Sequence, residues 1–137
     1  MDRACAGRAD DGLCFANVNR GPDGAIWSVE ARLQTPGLDA ALQVSSHYAT
    51  GFADLVLFFQ RLAADWRGWE GERSYESLEK DLRLLATHDG HVRMVVRLAQ
   101  TSTPDGWSVS GVLRLEPGEE MTRVASEVAA LLAPAGG

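Results

Sequence analysis

The sequence predicts an α+β fold: duplicated strand-strand-strand-helix units forming an antiparallel sheet, whole or divided into two sub-sheets, with two helices packed on one face. Three observations predict it. Two segments carry apolar residues at helical spacing, each is preceded by alternating apolar and polar residues, and Pro-Gly or Asp-Gly turns separate the alternating stretches. A length of 137 residues suits a single domain, which removes roughly two thirds of its unfolded-chain surface from water. A period of roughly 65 residues exceeds that of solenoid repeats, so duplication within one domain is expected instead of an open array.

Residues 1–11 are expected to be flexible. The first half, residues 12–66, opens with a strand candidate from Leu13 to Val18 that ends at the Gly21-Pro22-Asp23-Gly24 turn. Trp27, Val29, Ala31 and Leu33 then alternate with Ser28, Glu30 and Arg32. After Pro36-Gly37, Leu42, Val44 and Ser46 continue on the return strand. The first helix is expected from about Gly51 to Trp66, where Phe52, Leu55, Val56, Phe59, Leu62, Ala63 and Trp66 fall on one stripe. Thr50 or Gly51 can start it, and Asp54 complements the positive end of its dipole. Leu57 and Phe58 widen the apolar surface, which predicts cover on more than one side.

Residues 67–77 read as a connector and residues 78–133 as the second half. Its first strand candidate runs from Leu78 to Thr87 and ends at Asp89-Gly90. Val92, Met94, Val96 and Leu98 alternate with Arg93, Val95 and Arg97, and a loop through Pro104-Asp105-Gly106 leads to Trp107, Val109, Gly111, Leu113 and Leu115. The second helix is expected to begin at Pro117, whose ring presets φ for the first helical position. Met121, Val124, Ala125, Val128, Leu131 and Leu132 form its stripe, aligned with Phe52, Leu55, Val56 and Phe59 of the first helix, and Pro134, Gly136 and Gly137 mark its end.

Nineteen acidic against thirteen basic side chains give a net charge of -6, which opposes capture by phosphate backbones; such acidity commonly serves solubility alone, and otherwise favours encounter with a basic protein. Nucleic acid is therefore not an expected partner. Cys5 and Cys14, the two cysteines, do not indicate a disulfide framework. Residues 1–11 lack the apolar core of a signal peptide, and no stretch approaches a membrane span, so a soluble protein of the cytoplasm or another reducing interior is expected, with no membrane partner.

The connector from Asp65 to Ser77 is the least ordinary stretch, with aromatics interleaved among acids. Tryptophan and tyrosine combine large contact area with a polar handle. Trp69, Glu70, Glu72, Tyr75 and Glu76 are thus the candidate partner-binding residues; the alternative is that the two aromatics close the sheet end beneath the first helix. Arg32, Arg83, Arg93, Arg97 and Arg114 are expected on one sheet face together with Glu30 and Gln43, where they could bind an anion or an acidic protein; the commoner outcome for such a face is cross-strand pairing with Glu30 and solvent exposure, and a one-residue register slip would scatter them. His88-Asp89-Gly90-His91 resembles a metal or acid–base cluster, but a hairpin turn accounts for its Asp-Gly, and His47 lies on another strand. No metal, cofactor or catalytic constellation is expected: no serine sits in a nucleophile elbow, Cys14 has no identifiable base, and the glycines do not form a phosphate loop. Edge strands leave homodimerisation open.

The stretch from Asp65 to Val96 carries Asp65-Trp66-Arg67-Gly68-Trp69-Glu70-Gly71-Glu72, Ser77-Leu78-Glu79, Asp81-Leu82-Arg83-Leu84 and Ala86-Thr87-His88-Asp89-Gly90-His91-Val92. It resembles a family of small actinobacterial proteins of unknown function. The tryptophan-glycine-rich connector, acidic strand start and Thr-x-Asp-Gly-His-Val hairpin are also similar in pattern to the WapI-family immunity proteins. That resemblance implies a protein without an enzymatic activity that binds and neutralises a cognate toxin. It supplies no catalytic residue to carry over.

Overall fold

The computed structural model describes residues 2–133. Four strands, β1 (Arg3–Arg8), β2 (Asp11–Arg20), β3 (Ile26–Thr35) and β4 (Leu38–Ser45), precede helix α1 (Ala53–Ala64). Four more, β5 (Arg73–Glu76), β6 (Leu82–His88), β7 (Val92–Ala99) and β8 (Ser108–Leu115), precede helix α2 (Glu119–Leu131). They form two antiparallel four-stranded sheets, ordered β1-β2-β3-β4 and β5-β6-β7-β8. The α+β class stands, and of the two arrangements left open the strands build two sheets, but each half has four strands instead of three.

The additional strands fall where little apolar patterning marks them. Residues 3–8, within the segment expected to be flexible, form β1: Ala4 and Ala6 are too small to announce a strand, yet both are buried against the core. β1 also sets Cys5 directly opposite Cys14, and the two form a disulfide with Cα atoms 4.1 Å apart. The two cysteines alone do not indicate a disulfide, because the pairing becomes visible only once β1 is in the sheet. β5 arises inside the connector, where Tyr75 faces Leu84 and Glu76 faces Arg83.

Residues 78–81, expected to begin a strand, instead turn the chain from β5 into β6. The Ser77 hydroxyl donates to Asp81 at 2.6 Å and accepts from the Leu82 amide at 2.9 Å, and Lys80 takes a left-handed φ of 61°. Such side-chain bonds to nearby backbone compete with a strand ladder. The turn at Pro36-Gly37 forms as expected, with Gly37 at φ 83° and Thr35 paired to Leu38; proline presets the first turn position and glycine supplies the positive φ of the second.

Helix α1 stops at Ala64, two residues before Trp66, so Trp66 leaves the core stripe and is 50% exposed. α2 begins after Gly118, whose φ of 87° separates Pro117 from the helix. At the other end of α2, Arg20 donates to the Ala133 carbonyl at 3.0 Å, a cation placed at the negative end of the dipole. The stop expected at Pro134, Gly136 and Gly137 lies outside the described residues.

The two sheets and two helices share one core. Leu13, Phe15, Ala31, Leu33 and Val44 from the first sheet meet Leu82, Leu84, Met94, Val96, Leu98 and Leu115 from the second, with Leu55, Phe59, Leu62, Met121, Val124 and Val128 from the helices. α1 and α2 pack on each other; α2 also meets β1 and β2, and α1 meets β5. Gly111 of β8 faces Leu33 of β3 closely enough that a methyl group on Gly111 would stand 3.1 Å from Leu33 Cδ2. No helix among the described residues is long and apolar enough to cross a membrane.

Candidate functional site

The connector is pinned, and Arg73 pins it. Its guanidinium pairs with Asp65 at 2.6 Å, donates to the Arg61 carbonyl in the last turn of α1 at 3.3 Å, and lies 4.7 Å from the centroid of the Trp69 ring. The cation thus satisfies a helix C-terminal carbonyl while covering an aromatic face. Trp69 is half-buried against the core, packs edge-on to His88 at 5.1 Å, and has its indole N–H buried without a partner among the described residues. His88 in turn accepts from the Gly90 amide through Nδ1 at 3.1 Å, which leaves Nε2 to donate to the Trp66 carbonyl at 3.0 Å.

Tyr75 is also half-buried, with its ring 6.4 Å from that of Phe58. Burial, reinforced by the nearby carboxylates of Asp54 and Asp81, pushes its phenol up to about 12. The linkage follows in sign: the unfolded chain, whose tyrosine titrates near 10, releases this proton first. Tyr75 therefore contributes stability that is whole below pH ~10 and is lost as pH rises towards ~12. Subtracting the 295 nm titration of Tyr75→Phe from that of the native chain should reveal a phenolate forming near pH 12. A midpoint near the ordinary tyrosine value would mean that the side chain is solvated.

Tyr75 and Glu76 lie in a groove of about 700 Å³ between α1 and β5, lined also by Asp54, Leu57, Arg61 and Arg73. Glu70 and Glu72 stand exposed on the connector just before β5. The five candidate binding residues therefore divide by role. Trp69 and Tyr75 brace the connector from inside, Glu70 and Glu72 face solvent, and Glu76 pairs with Arg83 at 2.9 Å. Asp54, Leu57 and Arg61, which complete the groove, come from α1 and carried no sequence signal beyond their helix positions.

The five arginines do not share one face. Arg32 belongs to the first sheet, where its guanidinium is paired with the Asp39 carboxylate at 2.5 Å and their bond holds that carboxyl below its usual range. Arg83, Arg93, Arg97 and Arg114 all stand on the outer face of the second sheet, opposite the core. None of these four lines the groove between α1 and β5. Glu30 and Gln43 remain with Arg32 on the first sheet, where they face each other across β3 and β4.

His91 reaches Glu116 at 3.4 Å, on the side of the hairpin away from the His88 contacts. His47 is spent locally, accepting from the amides of Ala49 and Thr50 at 3.0 and 3.3 Å. Among the described residues, no group of three or more His, Cys, Asp or Glu side chains converges as a metal site would require.

A second groove, of about 950 Å³, escaped sequence reading. Trp27 and Tyr48 flank it, Phe52 and Val56 contribute from the start of α1, and Leu132 closes it from the end of α2. Trp27 is 56% exposed although its alternation placed it with the core-facing Val29, Ala31 and Leu33. The β2 irregularity between Ala16 and Arg20 shifts the register beside it, and the absence of a side chain at Gly21 makes room for the indole. A third and shallower groove, of about 660 Å³, lies between Trp66 and the first turns of α2.

No curated protein and no solved structure matches the chain. Residues 4–135 match a family described as a family of unknown function, DUF6228. That match takes in both sheets, both helices and the whole connector, and the chain belongs to this family.

Proposed function

We propose that the protein is an immunity-type binding protein that neutralises a cognate bacterial toxin by covering it, without an enzymatic step of its own. The observation that carries this reading is the groove between α1 and β5. Asp54, Asp65 and Glu76, with Arg61 and Arg73 among them, line it around Tyr75 and Leu57, and the connector that leads into β5 adds the exposed Glu70 and Glu72. A mixed aromatic and acidic surface suits a basic protein partner, because charge steers the encounter and the aromatic contributes contact area. Arg73 holds the connector to the end of α1 before any partner arrives, so little ordering cost falls on binding. The net charge of -6 acts in the same direction.

Several finer features belong to the same reading: a cytoplasmic site of action, an actinobacterial source, and internal duplication, which the repeated order of four strands and a helix supports. The cytoplasmic placement sits uneasily with the Cys5–Cys14 disulfide, since such bridges persist mainly in oxidising compartments.

The test is co-expression with the product of the adjacent open reading frame, followed by growth and purification of any complex. Rescue from toxicity with a stable complex is expected. The doubly substituted Glu70→Lys/Glu72→Lys chain, altered only at exposed positions, should fold normally and weaken the complex by about tenfold or more. Absence of both toxicity and complex would overturn the reading.

A further inference from the structure

The outer face of the second sheet is ordered in rows that the register fixes. Across the strands run Glu76, Arg83, Arg97 and Ser110 in one row, Ser74, Leu85, Val95 and Val112 in the next, and Thr87, Arg93 and Arg114 in a third. Neighbouring rows on one face are two residues apart along each strand, about 7 Å. An apolar stripe is therefore flanked on both sides by arginines. Val112 is 51% exposed, while Leu85 and Val95 are half-buried.

This arrangement is costly as it stands. Arg83 faces Arg97, and Arg93 faces Arg114, each directly across a strand pair. Like charges opposite one another destabilise a sheet. Glu76 relieves Arg83, but among the described residues no carboxylate lies within 4.0 Å of Arg93, Arg97 or Arg114. Four arginines against one glutamate, on a chain whose net charge is -6, concentrate positive charge where the remainder of the molecule is acidic.

We propose that this face docks an acidic protein segment, one that carries apolar side chains between its carboxylates. The apolar stripe and the arginine rows act together. Leu85, Val95 and Val112 lose water to the partner's apolar residues, while carboxylates on either side neutralise the facing arginines through bidentate contacts. Its arginines line none of the three grooves, and a small anion would need a concave site to shed its water, which favours a protein surface. This docking face lies on β6, β7 and β8 and is independent of the groove beside α1, so either surface can fail without the other.

Fluorescence anisotropy with a labelled peptide of interspersed glutamate and leucine tests the proposal, beside glutamate-serine and lysine-leucine peptides and a labelled single-stranded oligonucleotide. The glutamate-leucine peptide should bind, the glutamate-serine peptide should bind more weakly, and the lysine-leucine peptide should not bind. Arg93→Ser/Arg114→Ser should weaken binding at least about tenfold while the thermal midpoint stays level or rises, since an unfavourable pair is removed. Equal affinity in the arginine double variant, no binding of the acidic peptide, or tighter binding of the oligonucleotide would each overturn the assignment.

Discussion

Phe59→Ala is expected to cost about 4 kcal/mol of folding stability, the largest single loss anticipated in this chain. Phe59 has no exposed surface, and its ring meets Phe15 of β2 at 6.2 Å and Phe58 at 5.3 Å, both edge-on. It therefore joins α1 to the first sheet at the point where both helices and both sheets share one core. Alanine removes the transfer energy of the ring and leaves a cavity that four packed elements cannot all relax to fill. For a domain of this size the thermal midpoint should fall by on the order of 15 °C. A double-mutant cycle with Phe15→Ala should return a coupling of about 1 kcal/mol, the part belonging to the edge-on pair itself. A loss below about 2 kcal/mol would mean that the site collapses around alanine and that the helices do not depend on this ring.

The helix that carries Phe59 was legible from spacing alone, because Leu55, Phe59 and Leu62 fall on one stripe and all three are buried. The helix ends were not. Trp66 continues the apolar spacing, yet the chain leaves the helix at Asp65 and Trp66 turns outward. Central strands were legible for a similar reason: β3 and β7 alternate strongly, and both sit inside their sheets, where one face must be apolar. The edge strands β1 and β5 are short and carry small or charged residues, and they become strands by pairing with a better-defined neighbour. Whether eight strands make one sheet or two depends on whether β4 pairs with β5, and no residue pattern states that.

The same limit divides the candidate sites. Arg83, Arg93, Arg97 and Arg114 share a face because alternation acts within strands of one half, whereas Arg32 lies on the other sheet, a division that alternation does not state. Tyr75 and Glu76 were singled out by composition, but the groove they occupy is completed by Asp54, Leu57 and Arg61. Those residues approach only because β5 packs beside α1, a tertiary relation with no local signature.

Gly12→Val is expected to cost at least about 3 kcal/mol, by a mechanism unrelated to cavities. Gly12 pairs with Gly7 near the end of the β1–β2 hairpin, and a Cβ added there would run into the backbone carbonyl oxygens of both Ala6 and Arg8. Backbone cannot rotate aside as a side-chain tip can, so β1 must lift from β2, exposing Ala4 and Ala6 and disturbing the contact of β1 with α2. Chemistry supplies a second readout. Cys5 and Cys14 are held opposite each other by the same ladder, so when both proteins are reduced with dithiothreitol and reoxidised in air, alkylation of the variant should find free thiols that the native chain lacks. Cys5→Ser/Cys14→Ser separates the two effects, since removing a bridge over so short a loop should cost only about 2–3 kcal/mol while leaving the ladder in place. Gly37→Asn is the contrasting glycine: Gly37 has a positive φ but open space around it, so the loss there should be about 1 kcal/mol or less. If Gly12→Val kept its disulfide and unfolded within 1 kcal/mol of the native chain, β1 would not approach β2 as closely as its register requires, and the first sheet would rest on three strands.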